Sequence, residues 1–568
     1  MISDEILLLI KKYVIMNAIK YGGKAEFKAV MGKILSEKPE LKSMIQEVSK
    51  ITQSIISEIN SMSLLEQQNL AKSLGISLTK EKPKKEEHVL PPLPNANKYE
   101  KIRVRFAPNP DFAIHLGNAR AAILNDEYAK IYHGIFILRF EDTSPSVKPP
   151  MLEAYDAIRE DLKWLGVNWH EEYIQSERLP IYYDYAEKLL EIGGAYICTC
   201  PPEEFRKLVN SSKPCPCRDL PIEKQLKRWE GMMDGSIKKG GAVMRIKTDL
   251  NHPNPAIREW PAMRIDTKPH PLQGQKYRVW PLYNFACGID DHLMGITHIL
   301  RGKEHEVNTQ RQIYLYKYFK WEYPEVIHYG RLKIEGAILS KSKMRQGIEM
   351  GLFKDWEDPR LGTIAALRRR GFLPETIRRL ILEVGVKPSE ATISWDNIEA
   401  INRKLLDPIT KRFVFIPNPI KLEIQGLTKE FEARIPLHPD RPELGNVTYK
   451  VGPSNNTIFV PLRDISSIKV GTIFRLMNLF NVELLSPSIC VYIGESIEEI
   501  RRINAPIIQW LPYGIELSIV MHDGSTIDGI VDRNILNENL PNVFQFYRFG
   551  FVKIYKEDGK IKGYYTHD

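Results

Sequence analysis

Between residues 102 and 140 this chain has little choice of local structure. The run Ile102-Arg103-Val104-Arg105-Phe106 reads as a buried strand, Pro108-Asn109-Pro110 marks a turn, and a helical pattern from Ala119 to about His133 stops at Gly134. A second strand, Ile135-Phe136-Ile137-Leu138-Arg139-Phe140, follows at once. Strand, helix and strand in that order predict a parallel sheet with helices on its faces.

The same order puts His115, in His115-Leu116-Gly117-Asn118, at a helix N-terminus. Unpaired backbone N–H groups and the positive end of the helix dipole favour phosphate there, and Gly117 lets a nucleotide approach the backbone. Far downstream, Leu339-Ser340-Lys341-Ser342-Lys343 makes a polar, lysine-rich loop after the strand-like Ile327-His328-Tyr329. Such a loop can set an ammonium on phosphate charge that builds during transfer. Either piece alone is common. Their order and context predict a phosphate clamp and the adenylation of a carboxylate.

With 568 residues, 43% of them apolar, the chain is long enough for several domains with real cores. Its formal charge of +9 suits a polyanionic partner without demanding one. No apolar run approaches a membrane span, so a cytoplasmic protein is expected. Four of the six cysteines form two C-x-C pairs, Cys198/Cys200 and Cys215/Cys217. Four thiolates suit a structural zinc, and two reduced pairs in a loop are the alternative.

Residues 1–80 show helical periodicity, with Ile6, Leu9, Ile10 and Tyr13 on one face and Ile51, Ile55, Ile56 and Ile59 on another, and predict a small helical domain. A charged and prolyl linker over 81–97 follows. Residues 98–194 and 277–344 read as two halves of one α/β nucleotide-binding body, the second carrying the lysine loop, and 195–276 as an insertion rich in Pro and Lys. Over 345–408 a helical stretch carries Arg368-Arg369-Arg370 and Arg378-Arg379, expected to face outward toward phosphate or simply solvent. From 409 to 568 short alternating runs broken by Gly, Asn and Pro predict β-barrels or sandwiches.

Taken in order, several segments resemble a class I aminoacyl-tRNA synthetase, and most closely the archaeal-type glutamyl-tRNA synthetases. They are Arg105-Phe106-Ala107-Pro108-Asn109-Pro110, His115 to Arg120, Arg139-Phe140-Glu141-Asp142-Thr143, Pro281-Leu282-Tyr283-Asn284-Phe285, Asp290-Asp291-His292, His298-Ile299-Leu300-Arg301-Gly302 and the lysine loop. The resemblance implies a multidomain α/β protein: a Rossmann-type catalytic domain, an inserted domain for the tRNA acceptor end, a helical bundle against the inner tRNA stem, and C-terminal β-barrels that read the anticodon. It implies ATP with Mg2+, L-glutamate, and tRNA-Glu as substrates, with tRNA-Gln a second candidate acceptor. His115, Gly117, Asn118, Ser340 and Lys341 would bind ATP, with His115, Asn118 and Lys341 acting in catalysis. Arg105 and Arg301 would hold substrate carboxylate, Glu141 with Asp142 the ammonium, and Tyr283 and Asn109 would complete the pocket.

Departures from the family pattern are Leu116 and Asn118 in the first motif, Ile338-Leu339 in the second, and Asp111-Phe112 before the helix. An asparagine still donates a hydrogen bond, and Leu339 keeps an apolar anchor. Aromatic and basic residues at Phe544, Phe546, Tyr547, Arg548 and Phe549 are candidates for stacking on unpaired bases, or an ordinary half-buried strand. Rival functions are a glutaminyl-tRNA synthetase, argued against by Arg301, a tRNA-binding scaffold without catalysis, and a nucleotidylyltransferase outside translation.

Overall fold

A computed structural model describes residues 4–38, 41, 44–74, 90–335, 340–557 and 559–568. Most of the expected linker and the Leu339 anchor lie outside them. The chain divides into two compact units, 1–89 and 90–568. The first holds four helices, α1 (Asp4–Lys20), α2 (Phe27–Glu37), α3 (Ile45–Asn60) and α4 (Leu64–Ser73). Val48, Thr52, Ile55 and Ile59 of α3 recur every three or four residues and form its buried face. On α1 the buried face is Ile10, Val14, Ile15 and Ala18, displaced toward the C-terminus from the expected stripe.

In the second unit three strands run parallel, β1 (Arg103–Phe106), β2 (Ile135–Phe140) and β3 (Glu171–Ile174), with β2 in the middle. Helix α5 (Leu116–Ile131) links β1 to β2 and is buried on most sides. It starts three residues earlier than its apolar pattern, because His115 itself caps it. Between β2 and β3 lies α6 (Leu152–Trp164), and α7 (Leu179–Glu191) follows. Val104, Leu116, Ala119, Ile123, Phe136 and Leu138 meet in one core. Each such larger side chain contributes ~1.5–3 kcal/mol when removed from water.

Residues 90–97, expected to be linker, are part of this body. Leu90 and Leu93 are buried in its core, Tyr128 Oη donates to the Pro91 carbonyl at 2.8 Å, and the Leu93 N–H donates to Tyr132 Oη at 2.9 Å. Proline withholds N–H donors but not apolar surface or carbonyls, so the segment docks as an extended strap.

Residues 195–276 contribute β4 (Ala195–Cys198), β5 (Val243–Ile246) and β6 (Pro261–Ile265), with α8 (Pro202–Asn210) and α9 (Ile222–Asp234) between β4 and β5, and β7 (Val279–Pro281), just past the expected boundary, completes a four-stranded antiparallel sheet with them. Helix α10 (Tyr283–Leu293) then leads to β8 (His298–Gly302), α11 (Glu306–Phe319) and β9 (Glu325–Tyr329), with β8 and β9 parallel. The Thr297 N–H donates to the Arg103 carbonyl at 2.9 Å, setting β8 beside β1. A short strand β10 (Leu332–Ile334) precedes α12 (Lys341–Glu349).

Helices α13 (Ile364–Arg370), α14 (Pro374–Val384) and α15 (Trp395–Leu406) follow. Their arginines were expected outward, and most are paired inward. Arg370 donates to the carbonyls of Tyr565 and Thr566, Arg369 pairs with Glu357 and Glu557, and Arg378 pairs with Asp126 and Glu127. Consecutive helical residues point about 100° apart. Neighbours on several sides can therefore each take one; Arg379 is left exposed, as is Arg403 on α15.

Beyond Arg412 the structure is mainly β, with short helices at Leu462–Ser466 and Ile497–Arg502. A seven-stranded sheet has Arg412–Phe413 and Phe415–Pro417 as its two edges. Val414 alone separates those edges in the chain, so the sheet curls back on itself toward a barrel. A six-stranded sheet accompanies it. Phe544 and Phe546 are buried in this core and are unavailable for stacking on a base, whereas Arg548 is exposed. Among the described residues no helix is long and apolar enough to cross a membrane.

Candidate functional site

A cavity of about 1090 Å³ opens at the C-terminal ends of β1, β2, β8 and β9, where parallel strands leave a crevice for ligands. Its wall includes nine of the sequence-predicted site residues: Arg105, Asn109, His115, Gly117, Asn118, Glu141, Tyr283, Arg301 and Lys341. Ser340 and Asp142 are not on it. Ser340 is the exposed N-cap residue of α12, its Oγ 3.0 Å from Ser342 Oγ.

On one side of the cavity His115 folds over the start of α5. Its Nδ1 accepts from the Gly117 N–H at 3.0 Å, and Asn118 Oδ1 accepts from the His115 N–H at 3.3 Å, a reciprocal cap. Nδ1 is thus an acceptor, and burial, aided by the nearby Lys341 charge, lowers the His115 pKa to about 4. The imidazole is neutral near pH 7, with Nε2–H and the Asn118 amide N–H groups left as donors. Gly117 matters here because a Cβ would lie 2.8 Å from His115 Cε1. Lys341 opens α12 and reaches across to Asp111, Nζ to Oδ1 2.9 Å, with the Asn109 carbonyl at 3.4 Å.

On the other side three buried guanidiniums converge. Arg105 grips Asp291 through Nε (3.1 Å) and Nη2 (3.3 Å), and Arg139 reaches Asp291 through Nη1 (2.7 Å) and Glu141 through Nη2 (2.9 Å). Burial pushes the Asp291 pKa up, but the two arginines outweigh it and hold it below the usual carboxylate range. Burial raises the Glu141 pKa against the pull of Arg139 and Arg105. Arg301, 5% exposed, is held differently: by Gln312 Oε1 at 3.3 Å from both Nη atoms, Thr309 Oγ1 at 2.5 Å and Tyr323 Oη at 3.0 Å. Its Nε has no partner, and no carboxylate lies within ion-pair distance of it among the described residues. Tyr283 stands beside His305, ring centres 5.9 Å apart.

Asp142 was expected to share the ammonium with Glu141, and the structure turns it away from the cavity. Fully buried, it accepts from Tyr155 Oη at 2.6 Å and the Ser176 N–H at 2.8 Å. Adjacent strand-end residues point to opposite faces, so only one of the pair can line the crevice.

The four cysteines of the insertion come together: Cys198, Cys200, Cys215 and Cys217 have all their sulfurs within 4.8 Å of one another, three of the residues being buried. A compact set of four thiols at the end of β4 fits a tetrahedral zinc. No ionised partner other than the thiols is needed for the fit.

Sequence reasoning gave no role to Asp111, Asp291 or Gln312. Asp291 was visible inside the Asp290-Asp291-His292 run, and Asp111 as a departure from the family pattern. Nothing local marks Gln312, since its partner Arg301 lies on a different element.

The family model described as "tRNA synthetases class I (E and Q), catalytic domain" matches residues 101–408, and "tRNA synthetases class I (E and Q), anti-codon binding domain" matches 410–490. The chain is 52% identical to the glutamate–tRNA ligase of Pyrococcus furiosus, over 99% of this chain and 100% of that one. It is 51% identical to that of Pyrococcus abyssi, over 99% and 100%, and 46% identical to that of Pyrobaculum calidifontis, over 98% and 99%.

Proposed function

The chain belongs to the class I tRNA synthetases of the glutamate and glutamine group, and from that membership and the chemistry of its cavity we propose that it is a glutamate–tRNA ligase. It activates L-glutamate with ATP, taken as the Mg2+ complex, and transfers the glutamyl group to the 3′ end of tRNA-Glu.

In the first step a glutamate α-carboxylate oxygen attacks the α-phosphorus of ATP. The bond from that phosphorus to the bridging oxygen breaks, and diphosphate leaves with the electron pair. A ribose hydroxyl of the terminal tRNA nucleotide then attacks the adenylate carbonyl carbon, the bond from that carbon to the phosphate oxygen breaks, and AMP leaves, its phosphate taking up the hydroxyl proton. Neither step needs a dedicated side-chain base: positioning and charge stabilisation carry the chemistry. Neutral His115, Asn118 and the first turn of α5 serve the phosphates as hydrogen-bond donors, and Lys341 exchanges Asp111 for phosphate oxygen.

Amino-acid selection falls to the arginines. Arg301 takes the side-chain carboxylate, Arg105 contributes its remaining Nη1, Glu141 holds the ammonium, and Tyr283 and Asn109 line the pocket. Buried Arg301 without a carboxylate partner is the observation that carries the reading. A buried charge left unpaired carries a penalty of ~3–5 kcal/mol, which a γ-carboxylate relieves and a neutral amide does not.

In this reading the α/β body is Rossmann-type. The 195–276 insertion takes the acceptor end and holds a structural zinc on Cys198, Cys200, Cys215 and Cys217. The 345–408 helices meet the inner stem, and the 409–568 barrels meet the anticodon. The test is aminoacylation of a tRNA-Glu transcript with labelled glutamate and, separately, labelled glutamine. Charging with glutamate is expected, and charging with glutamine alone would overturn the assignment.

A further inference from the structure

The three guanidiniums beside the amino-acid pocket are not equivalent. Arg105 and Arg139 share two carboxylates, Asp291 and Glu141, within 3.3 Å, so that group is neutral as a set. Arg301 is gripped as firmly, yet every group that grips it is uncharged. The central one is Gln312, fully buried on α11, whose Oε1 accepts from both Arg301 Nη atoms and from Tyr323 Oη at 2.6 Å. Thr309, one turn earlier on the same helix face, accepts from Arg301 Nη2 and lies 2.9 Å from His328 Nε2.

An amide is an unusual choice for this place. A glutamate of the same shape would be the stronger partner for a guanidinium, since charge-assisted bonds are about twice as strong as neutral ones. The amide also leaves its own Nε2 buried without an acceptor. What neutrality preserves is the Arg301 charge.

We propose that Gln312 is a specificity-determining residue: it fixes the Arg301 fork without discharging it, so that the positive charge of Arg301 is reserved for the side-chain carboxylate of the substrate. The inference rests on the reading of Arg301 given above. A carboxylate at position 312 would complete an internal ion pair, and incoming glutamate would then meet a neutral pair with a like charge behind it. Glutamine, with no side-chain charge, would lose far less.

The experiment is steady-state aminoacylation of tRNA-Glu by Gln312→Glu, Gln312→Met, Thr309→Asp and Arg301→Cys, with glutamate and glutamine varied in turn and folding checked by thermal melting. Gln312→Glu is expected to raise the glutamate KM roughly tenfold or more, hold kcat and the ATP KM within about threefold, and narrow the glutamate-over-glutamine ratio of kcat/KM by roughly tenfold. Thr309→Asp brings the same charge from a half-buried site and is expected to act in the same direction, so the test survives if Gln312→Glu does not fold. Gln312→Met removes the acceptor but adds no charge, and should raise the KM only a few-fold without narrowing the ratio.

An equal effect of Gln312→Met and Gln312→Glu would make the role one of geometry and overturn the inference. So would an unchanged glutamate KM in both charged variants while Arg301→Cys collapses. Glutamate charging that persists in Arg301→Cys would instead remove the premise, and the two failures are thereby told apart.

Discussion

Asp111 Oδ1 and Lys341 Nζ stand 2.9 Å apart, tying the turn before α5 to the first residue of α12. Both are largely shielded, with side chains 18% and 22% exposed, so the pair holds the lysine at the cavity wall near the His115 cap. On the proposed role of Lys341, phosphate would compete with Asp111 for the same ammonium.

Lys341→Ala is therefore expected to slow adenylate formation in a single turnover by about 10²-fold or more, while glutamate binding stays nearly intact. Asp111→Asn removes the competitor and should lower the ATP KM a few-fold. Rapid-quench measurement of the first turnover checks both. An unchanged rate in Lys341→Ala would take the lysine out of the mechanism.

Gly117→Ala would place a Cβ 2.8 Å from His115 Cε1 and 3.0 Å from Nδ1. The ring must swing away, losing the cap on α5 and the Nε2–H donor proposed for the nucleotide. A loss of about 1 kcal/mol of stability is expected from the cap alone. The ATP KM should rise as well, with the glutamate KM little changed. Denaturant titration and steady-state kinetics read the two effects separately.

His115 and His305 both titrate near 4 in the fold, against an ordinary value of 6.5. Burial is the main cause for each, with Lys341 adding to it at His115 and Arg301 at His305. The unfolded chain therefore binds more protons than the folded one between about pH 4 and 6.5, and stability rises with pH across that window. Their contribution is present in full above about pH 6.5 and is lost as pH falls toward 4. The urea midpoint should drop from pH 7 to pH 5, and His115→Gln should flatten that slope. An identical slope in the variant would contradict the assignment.

Much of the sheet and one edge of the site were legible in the sequence. β2 matches its expected run residue for residue, and β1 sits within the expected one, because both are short apolar runs bounded by turns. His115 at the start of α5 followed from where the helical pattern could begin, and the cysteines from spacing alone. What misled was side-chain direction. Arg370 and Arg378 turn inward because their partners, Tyr565 and Thr566 for one and Asp126 and Glu127 for the other, come from segments remote in sequence. Asp142 belongs to the same class: residue type suggested a ligand, while strand alternation decided which face it took. At Phe544 and Phe546 the structure takes the half-buried strand, one of the two readings their alternation allowed.

The cysteine cluster predicts about one zinc per chain in purified protein, by elemental analysis. Cys215→Ser should lose the metal and lower the melting temperature, since the short β4 end and the loop after α8 have only a small core of their own. Full zinc occupancy in the variant, or none in the wild type, would return the cluster to reduced thiols.

The most direct test of the account compares wild type with Arg301→Cys in tRNA-Glu charging, measuring kcat/KM for glutamate and the KM for ATP side by side. If the unpaired Arg301 charge selects the substrate, glutamate kcat/KM falls by roughly 10²-fold or more while the ATP KM stays put. If Arg301→Cys still charges glutamate at the wild-type rate and concentration dependence, the pocket has been read wrongly, whatever the family.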